Sequence, residues 1–185
     1  MQDLYISLIH YPIYNKAGDV VTTSVTNFDL HDIARNAQTF GVKGFFVITP
    51  SAVQMDMVNY IKNYWHEGHG STYNPDRKKA FDVVNVSENI EDTCLTIKNW
   101  SGSQPLLVAT TAKDRGNSVG YDYISNLIAN GDRPVLVNFG TGHGLTDEFF
   151  EKINYTLKPI PGVNGYNHLP VRSAVAIILD RLVGR

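Results

Sequence analysis

Arg133-Pro134-Val135-Leu136-Val137-Asn138-Phe139-Gly140-Thr141-Gly142-His143-Gly144-Leu145 is the stretch that decides the fold. Pro134 to Phe139 is a near-continuous apolar run, and such runs suit a central parallel strand covered on both faces. Pro105 to Ala109 has the same character, and Leu4 to Ile9 and Gly44 to Thr49 also read as strands. Between these runs the periodicity becomes helical. Leu30, Ile33, Ala34 and Ala37 recur at helical spacing behind Asn27, a cap residue, and Gly41 ends that helix. Ser51 with Gln54 makes a capping-box pattern and opens a helix with Val53, Met57, Tyr60, Ile61 and Tyr64 facing inward. Ser87 caps a helix to about Lys98, and Tyr121, Ile124 and Ile128 mark another, closed by Gly131. Pro170 suits the first turn of the last helix, whose core face is Val171, Ala174, Val175, Ile178 and Leu182. Phe81 to Val86 and Tyr155 to Leu157 read as strands, Val20 to Thr26 as a short extended piece, and His66 to Pro75 as a long loop. Strands and helices alternate throughout. That pattern predicts an α/β fold: a mostly parallel, doubly wound sheet with helices on both faces and ligand chemistry beyond the carboxyl ends of its strands.

The 185 residues fit one domain, long enough to bury roughly 70% of its unfolded surface. Eighteen acidic and 16 basic side chains give a net charge of −2, and charged residues are 18% of the chain, below the roughly 25% usual for soluble domains. This excludes a disordered tail and a generally cationic nucleic-acid binder. The positive charge is nevertheless uneven: the first 34 residues hold one lysine against four aspartates, while Lys62 to Lys79 hold four basic residues against two acidic ones. Within that second stretch Asn74, Arg77, Lys78 and Lys79 suit RNA phosphates and Trp65 and Tyr73 suit base stacking, against the plainer reading of a solvated loop. Cys94 is the single cysteine, so no intrachain disulfide can form. It lies on an apolar helix face, is read as core, and fits a reduced, cytoplasmic setting. No run of about 18 apolar residues exists. The start, Met1-Gln2-Asp3, has no basic segment ahead of an apolar one, so no signal peptide is expected. His66-x-x-His69 has metal-ligand spacing, but no cysteine pair or carboxylate set accompanies it, and no metal site is expected.

Three late loops follow strand ends: Thr110, Thr111, Ala112 and Lys113; Gly140 to Leu145; and Lys158, Pro159, Ile160, Pro161 and Gly162. The middle loop is the most informative, because alternating glycines expose backbone amides and admit a flat ligand. The alternative is an ordinary tight turn. It is not a dinucleotide fingerprint, which needs glycine where Leu145 stands, nor a lysine-containing phosphate loop. No G-x-S-x-G elbow is present, which argues against a serine hydrolase.

Three segments in this order resemble the SPOUT class of S-adenosylmethionine-dependent RNA methyltransferases. They are Asp29-Leu30-His31-Asp32-Ile33-Ala34-Arg35, Arg133 through Leu145, and His168-Leu169-Pro170-Val171-Arg172-Ser173-Ala174-Val175-Ala176. The whole chain, including Trp65 to Arg77, is most similar to a small subfamily of unassigned RNA specificity, sometimes fused to a tRNA (guanine-N1)-methyltransferase. The resemblance implies one domain over residues 1–185 with a deep C-terminal trefoil knot, about 105–182, and a cytoplasmic homodimer whose second subunit completes the RNA site. It implies a pocket for S-adenosylmethionine in the late loops: Thr110, Thr111, Ala112, Gly140, Thr141, Gly142, His143, Gly144, Leu145, Pro159, Ile160, Asn167, His168, Leu169 and Arg172. For RNA contacts it implies Arg35; His69, Asn74, Arg77, Lys78 and Lys113 join it as candidates on local charge and polarity alone.

Arg35 is the principal catalytic candidate. A guanidinium, with a pKa above about 12, is a poor proton acceptor. Its expected part is to bind phosphate and stabilise negative charge on the attacking oxygen, in a reaction where in-line positioning supplies much of the rate. Proton removal falls to His31, which shares a helix face with Arg35, to His168, or to solvent. The plainer reading pairs Arg35 with Asp32 on an exposed face. Arg172 has two ligand readings, the cofactor carboxylate or an RNA phosphate, and a plain one on the helix surface. The motifs also depart from the ribose-methylating pattern. Aspartates stand where asparagines are usual at positions 29 and 32, the second motif lacks its glutamate, and His168-Leu169-Pro170 replaces a serine–leucine–asparagine run. The expected activity is tRNA ribose 2′-O-methylation. The alternatives are base methylation, as at guanine N1, and a non-catalytic cofactor- and RNA-binding module that partners another methyltransferase.

Overall fold

The computed structural model describes residues 3–184; the reading of Met1 and Gln2 as a start without a leader lies outside them. Strand β1 (Leu4–Ile9) is followed by a small antiparallel hairpin, β2 (Ile13–Tyr14) and β3 (Val20–Val21), and by helix α1 (Asn27–Thr39). Then come β4 (Gly44–Ile48), α2 (Ala52–His66), α3 (His69–Tyr73), α4 (Pro75–Phe81), β5 (Val84–Ser87) and α5 (Ile90–Ser101). The last third holds β6 (Leu106–Ala109), α6 (Tyr121–Asn130), β7 (Val135–Gly140), α7 (Asp147–Glu151), β8 (Tyr155–Thr156) and α8 (Val171–Val183). Six strands form one parallel sheet in the order β5-β4-β1-β7-β6-β8. The doubly wound α/β expectation is met.

Period-two alternation places the two cores. Leu4, Ile6 and Leu8 face the larger one, shared with Leu30 and Ile33 of α1, Phe81 of α4, Ile124 of α6 and Leu179 of α8. Tyr5 and Ile9 face the smaller one, closed by Ile97 of α5 and Phe149 of α7. Each such fully buried side chain contributes about 1.5–3 kcal/mol. Two polar residues sit at the centre of the sheet without penalty because they satisfy each other. The Ser7 hydroxyl donates to Asn138 Oδ1 at 2.7 Å, and Asn138 Nδ2 donates to the carbonyls of Val108 and Leu136 at 3.1 and 3.0 Å.

Several local expectations are corrected. The buried stripe of α2 runs through Val58, Met57, Ile61 and Trp65, while Val53, Tyr60 and Tyr64 face out. Counting tyrosine as an inward residue rotated the face; Trp65, stacked on Phe81, sets the true one. The expected loop 66–75 is mostly helical. Asn74 caps α4 by accepting from Arg77 N at 3.0 Å, and Pro75 supplies a proline-compatible first turn. As a result Phe81 ends α4 instead of opening β5. Thr26, not Asn27, caps α1. Asn89, not Ser87, caps α5, accepting from Asp92 N at 2.8 Å. Ser51 makes no side-chain cap; Gln54 instead accepts from Val25 N at 2.6 Å, tying α2 to the segment before α1. Pro170 is itself the cap residue of α8. Cys94 is only partly buried, yet burial still pushes its thiol up to about 11. Among the described residues no helix is long and apolar enough to cross a membrane.

Candidate functional site

The three sequence motifs converge on the carboxyl side of the sheet. The glycine-rich loop leaves β7 beside β1 and is bound by the β2–β3 hairpin. Tyr14 N donates to Gly144 O at 3.0 Å, and His143 N donates to Tyr14 O at 2.9 Å. Gly142, at φ +53°, has no room for a side chain: a Cβ would stand 2.9 Å from Ile13 Cγ2 and 3.2 Å from Tyr14 O. Its bareness therefore makes room for the hairpin. Gly140 is bare for the return of Leu145, whose Cγ would lie 3.0 Å from a Cβ there. The amides of His143 and Gly144 are thus spent inside the fold, the latter on Thr141 O.

Behind this loop lies a partly buried polar chain with no counterpart in the sequence reading. The Thr141 hydroxyl donates to Ile9 O at 3.0 Å and lies 2.5 Å from Thr23 Oγ1, itself 3.1 Å from His10 Nδ1. His10 is fully buried, and its Nε2 has no hydrogen-bond partner among the described residues. Burial pushes its pKa down to about 4, against a smaller upward pull from Asp29. A lone histidine at a strand end carries no sequence signal for such a role.

The first and third motifs meet where α8 begins against α1. Arg172 Nη1 donates to Asp32 Oδ2 at 2.8 Å, its Nε lies 3.4 Å from Asp29 Oδ1, and its guanidinium lies 5.6 Å from the centre of the Phe28 ring. Arg172 is thus a partly exposed helix residue committed to two carboxylates of α1, and Asp32, the partner that the plainer reading gave Arg35, is paired with Arg172 instead. Arg35 is exposed and makes no ion pair among the described residues. Together with Asn74, Asp76 and Arg77 it lines a groove of about 220 Å³. His31, one turn before Arg35, packs edge-on against Trp65 and Phe81, and its Nδ1 is buried without a partner among the described residues. Burial, then Arg77 and Arg35, hold its pKa below the usual histidine range, against Asp32.

The late loops also touch. Asn167 Nδ2 donates to Ala112 O at 2.9 Å, and Lys158 N donates to Val119 O at 2.9 Å. Thr110 is spent on Asn138 O through both its amide and its hydroxyl. Among the described residues, no amide from Ile160 to Leu169 donates to a backbone carbonyl. Val163, Tyr166 and Leu169 are exposed there, and His168 packs against Tyr166. Pro159 and Ile160 sit at the base of this loop, half-buried. Thr111 Oγ1 accepts from Lys113 N, and Arg115 anchors the loop to α7 through Asp147 at 2.7 Å. The expected RNA residues are thus split. Arg35, Asn74 and Arg77 share the groove, Lys78 lies one position further along α4, His69 stacks on Tyr73 at the far end of α3, and Lys113 belongs to the cofactor-side loops. His66 lies 2.9 Å from Asp82, and among the described residues no three potential metal ligands gather.

A family model described as SAM-dependent RNA methyltransferase matches residues 3–184. A Nitratidesulfovibrio vulgaris protein named tRNA (guanine-N(1)-)-methyltransferase is 40% identical over 183 residues, 99% of this chain and 42% of that protein. The chain therefore spans less than half the length of that relative. An Aquifex aeolicus protein is 38% identical over 184 residues, covering 100% of this chain and 90% of that one. Among solved structures, the A. aeolicus TrmH/SpoU tRNA modifying enzyme superposes with a TM-score of 0.60 at 17% identity, covering 100% of this chain and 75% of that chain. At that identity the likeness establishes the fold alone.

Proposed function

The chain belongs to the SAM-dependent RNA methyltransferase family, and from that premise we propose that it methylates a ribose 2′-oxygen of tRNA. The observation that carries this reading is Arg35. Its guanidinium stands in a groove with Asn74, Asp76 and Arg77 and makes no ion pair among the described residues, while Arg172 occupies both Asp29 and Asp32. A phosphate beside the acceptor nucleotide would be held there, and negative charge developing on the acceptor oxygen stabilised.

The loop residues fit the cofactor. The unspent amides from Ile160 to Leu169 offer backbone partners for an adenine and a ribose, and Asn167 fixes that loop to Ala112. Thr111, Ala112, Gly140, Leu145, Ile160 and Leu169 would line the pocket; Thr141, Gly142, His143 and Gly144 would shape it through the hairpin. When bound, S-adenosylmethionine supplies an electrophilic methyl group on a sulfonium. His31, kept neutral by burial and by Arg77 and Arg35, would accept the acceptor's proton, with His168 as the other candidate. The reading includes a single domain with a trefoil knot over about 105–182, a cytoplasmic setting and a homodimer. Exposed Phe28, Val163, Tyr166 and Leu169 favour a second subunit. The longer relative's name favours one alternative acceptor, guanine N1, and its extra length favours association with a tRNA (guanine-N1)-methyltransferase domain.

Calorimetry with S-adenosylmethionine, then labelled cofactor with total tRNA and nucleoside mapping, tests this. Stoichiometric binding and label in a 2′-O-methylnucleoside are expected, with Arg35→Ala keeping the cofactor and losing transfer. Label on guanine N1 would replace the ribose reading. Binding without transfer would leave a non-catalytic module, and no binding at millimolar ligand would sink the reading.

A further inference from the structure

Helix α2 and the short helices that follow it leave aromatic rings in water. Tyr60 is 74% exposed, Tyr64 43% and Tyr73 77%. Tyr60 and Tyr64 are one turn apart on α2, and Tyr73 ends α3, which packs on α2. The neighbouring Trp65 is not available in the same way. It stacks on Phe81 and carries the Arg77 guanidinium 4.7 Å above its ring, and Tyr64 meets its edge with centroids 5.1 Å apart. Trp65 thus sets the position of Arg77, and Arg77 faces Arg35 across the groove that also holds Asn74 and Asp76. Two guanidiniums and one carboxylate leave a single net positive charge, enough for one phosphate and unfavourable to a second.

This shelf meets the guanidiniums at two points, through Tyr64 on the edge of the Trp65 ring that carries Arg77 and through Tyr73, which precedes Asn74 of the groove and has one face against His69. It fits a ligand with both negative charge and flat apolar faces. Duplex RNA offers the charge but hides its base faces, whereas unpaired RNA offers both. We propose that Tyr60, Tyr64 and Tyr73, beside the Arg35–Arg77 groove, form a platform for unpaired RNA, with one phosphate in the groove and neighbouring bases stacked on the tyrosines. The substrate class is then an RNA whose acceptor lies in a loop or single strand. This rests on the RNA methyltransferase reading.

The test uses the full chain and fluorescence anisotropy with a labelled oligo(U) of ~12 nucleotides, set against an RNA duplex of the same length. Oligo(U) should bind more tightly than the duplex. Tyr73→Ala should weaken oligo(U) binding roughly tenfold while Tyr73→Phe keeps it. Arg77→Ala should lower the slope of log affinity against log salt by about 0.7, the value for one single-strand phosphate. Equal affinity for the two RNAs, or unchanged oligo(U) binding by Tyr73→Ala, would overturn the platform. So would loss of self-association on sedimentation of Tyr60→Ala with RNA binding intact, which would make the shelf a protein face. Cofactor calorimetry on the same samples separates the two readings. Failed RNA discrimination with intact cofactor binding removes only the platform; absent cofactor binding removes the methyltransferase reading and leaves the RNA comparison standing.

Discussion

The substitution His10→Asn should flatten the acid limb of the stability curve. The folded His10 has a pKa near 4, against 6.5 for an unburied histidine. Because the folded value is the lower one, the unfolded chain takes up the proton first. Stability is therefore unaffected above about pH 7, falls as pH drops through the unfolded value, and stops falling below the folded one. Between pH 7 and 4.5 the loss from this single side chain comes to about 2 kcal/mol. The shorter amide side chain would still offer a donor toward Thr23 but would not titrate. The variant should be less stable at pH 7, since it leaves a gap, yet lose about 2 kcal/mol less than the parent on acidification. Urea unfolding of both proteins at pH 7 and 4.5, with matching m-values, gives the double difference. Contributions from His31 and the carboxylates are common to both proteins and cancel. Equal losses on acidification would refute the reasoning, and would mean that His10 keeps an ordinary affinity for protons despite its burial.

Asn138→Ala should cost about 1–3 kcal/mol in urea unfolding, because it orphans the buried Ser7 hydroxyl and removes the side-chain hydrogen bond from two carbonyls of the β6–β7 ladder, whereas Ser7→Ala should cost less. Arg172→Ala, which frees Asp29 and Asp32, should cost about 1 kcal/mol at low salt and less at high salt, the pair being partly exposed. Cys94, its thiol held near 11, should react with iodoacetamide at pH 8 about a hundredfold more slowly than a free cysteine.

The sheet was legible because its strands are apolar runs of strand length, and Pro134 to Phe139 could hardly be anything but a covered central strand. The helical faces were legible where the apolar residues were aliphatic, as in α1 and α8. They were misread in α2, where tyrosines carry both an apolar ring and a hydroxyl that tolerates water, and only the partner surface decides which way they face. Caps were misassigned by one or two residues because Asn, Ser and Thr crowd the same junctions. In the candidate site the motif positions were legible, but the partners of their side chains were not. Nothing local in the sequence sets Arg172 against Asp32, 140 residues away, or His10 against Thr23 and Thr141.

That difference explains why a net charge of −2 says little about where cations stand unpaired. The chain spends many of its cations on itself. Lys43 pairs with Asp3, Arg115 with Asp147, Lys152 with Glu91 and Glu148, and Arg172 with Asp29 and Asp32. Lys62 donates to Val84 O, and Arg133 to the carbonyls of Gln104 and Pro105. These cations hold the fold and offer little to a ligand. Arg35 and Arg77 make no ion pair among the described residues, and the excursion through α3 and α4 brings them together although they stand far apart in the sequence. A sum over the chain weighs a paired cation and an unpaired one equally, but an anion responds only to the unpaired ones, and more strongly where two converge.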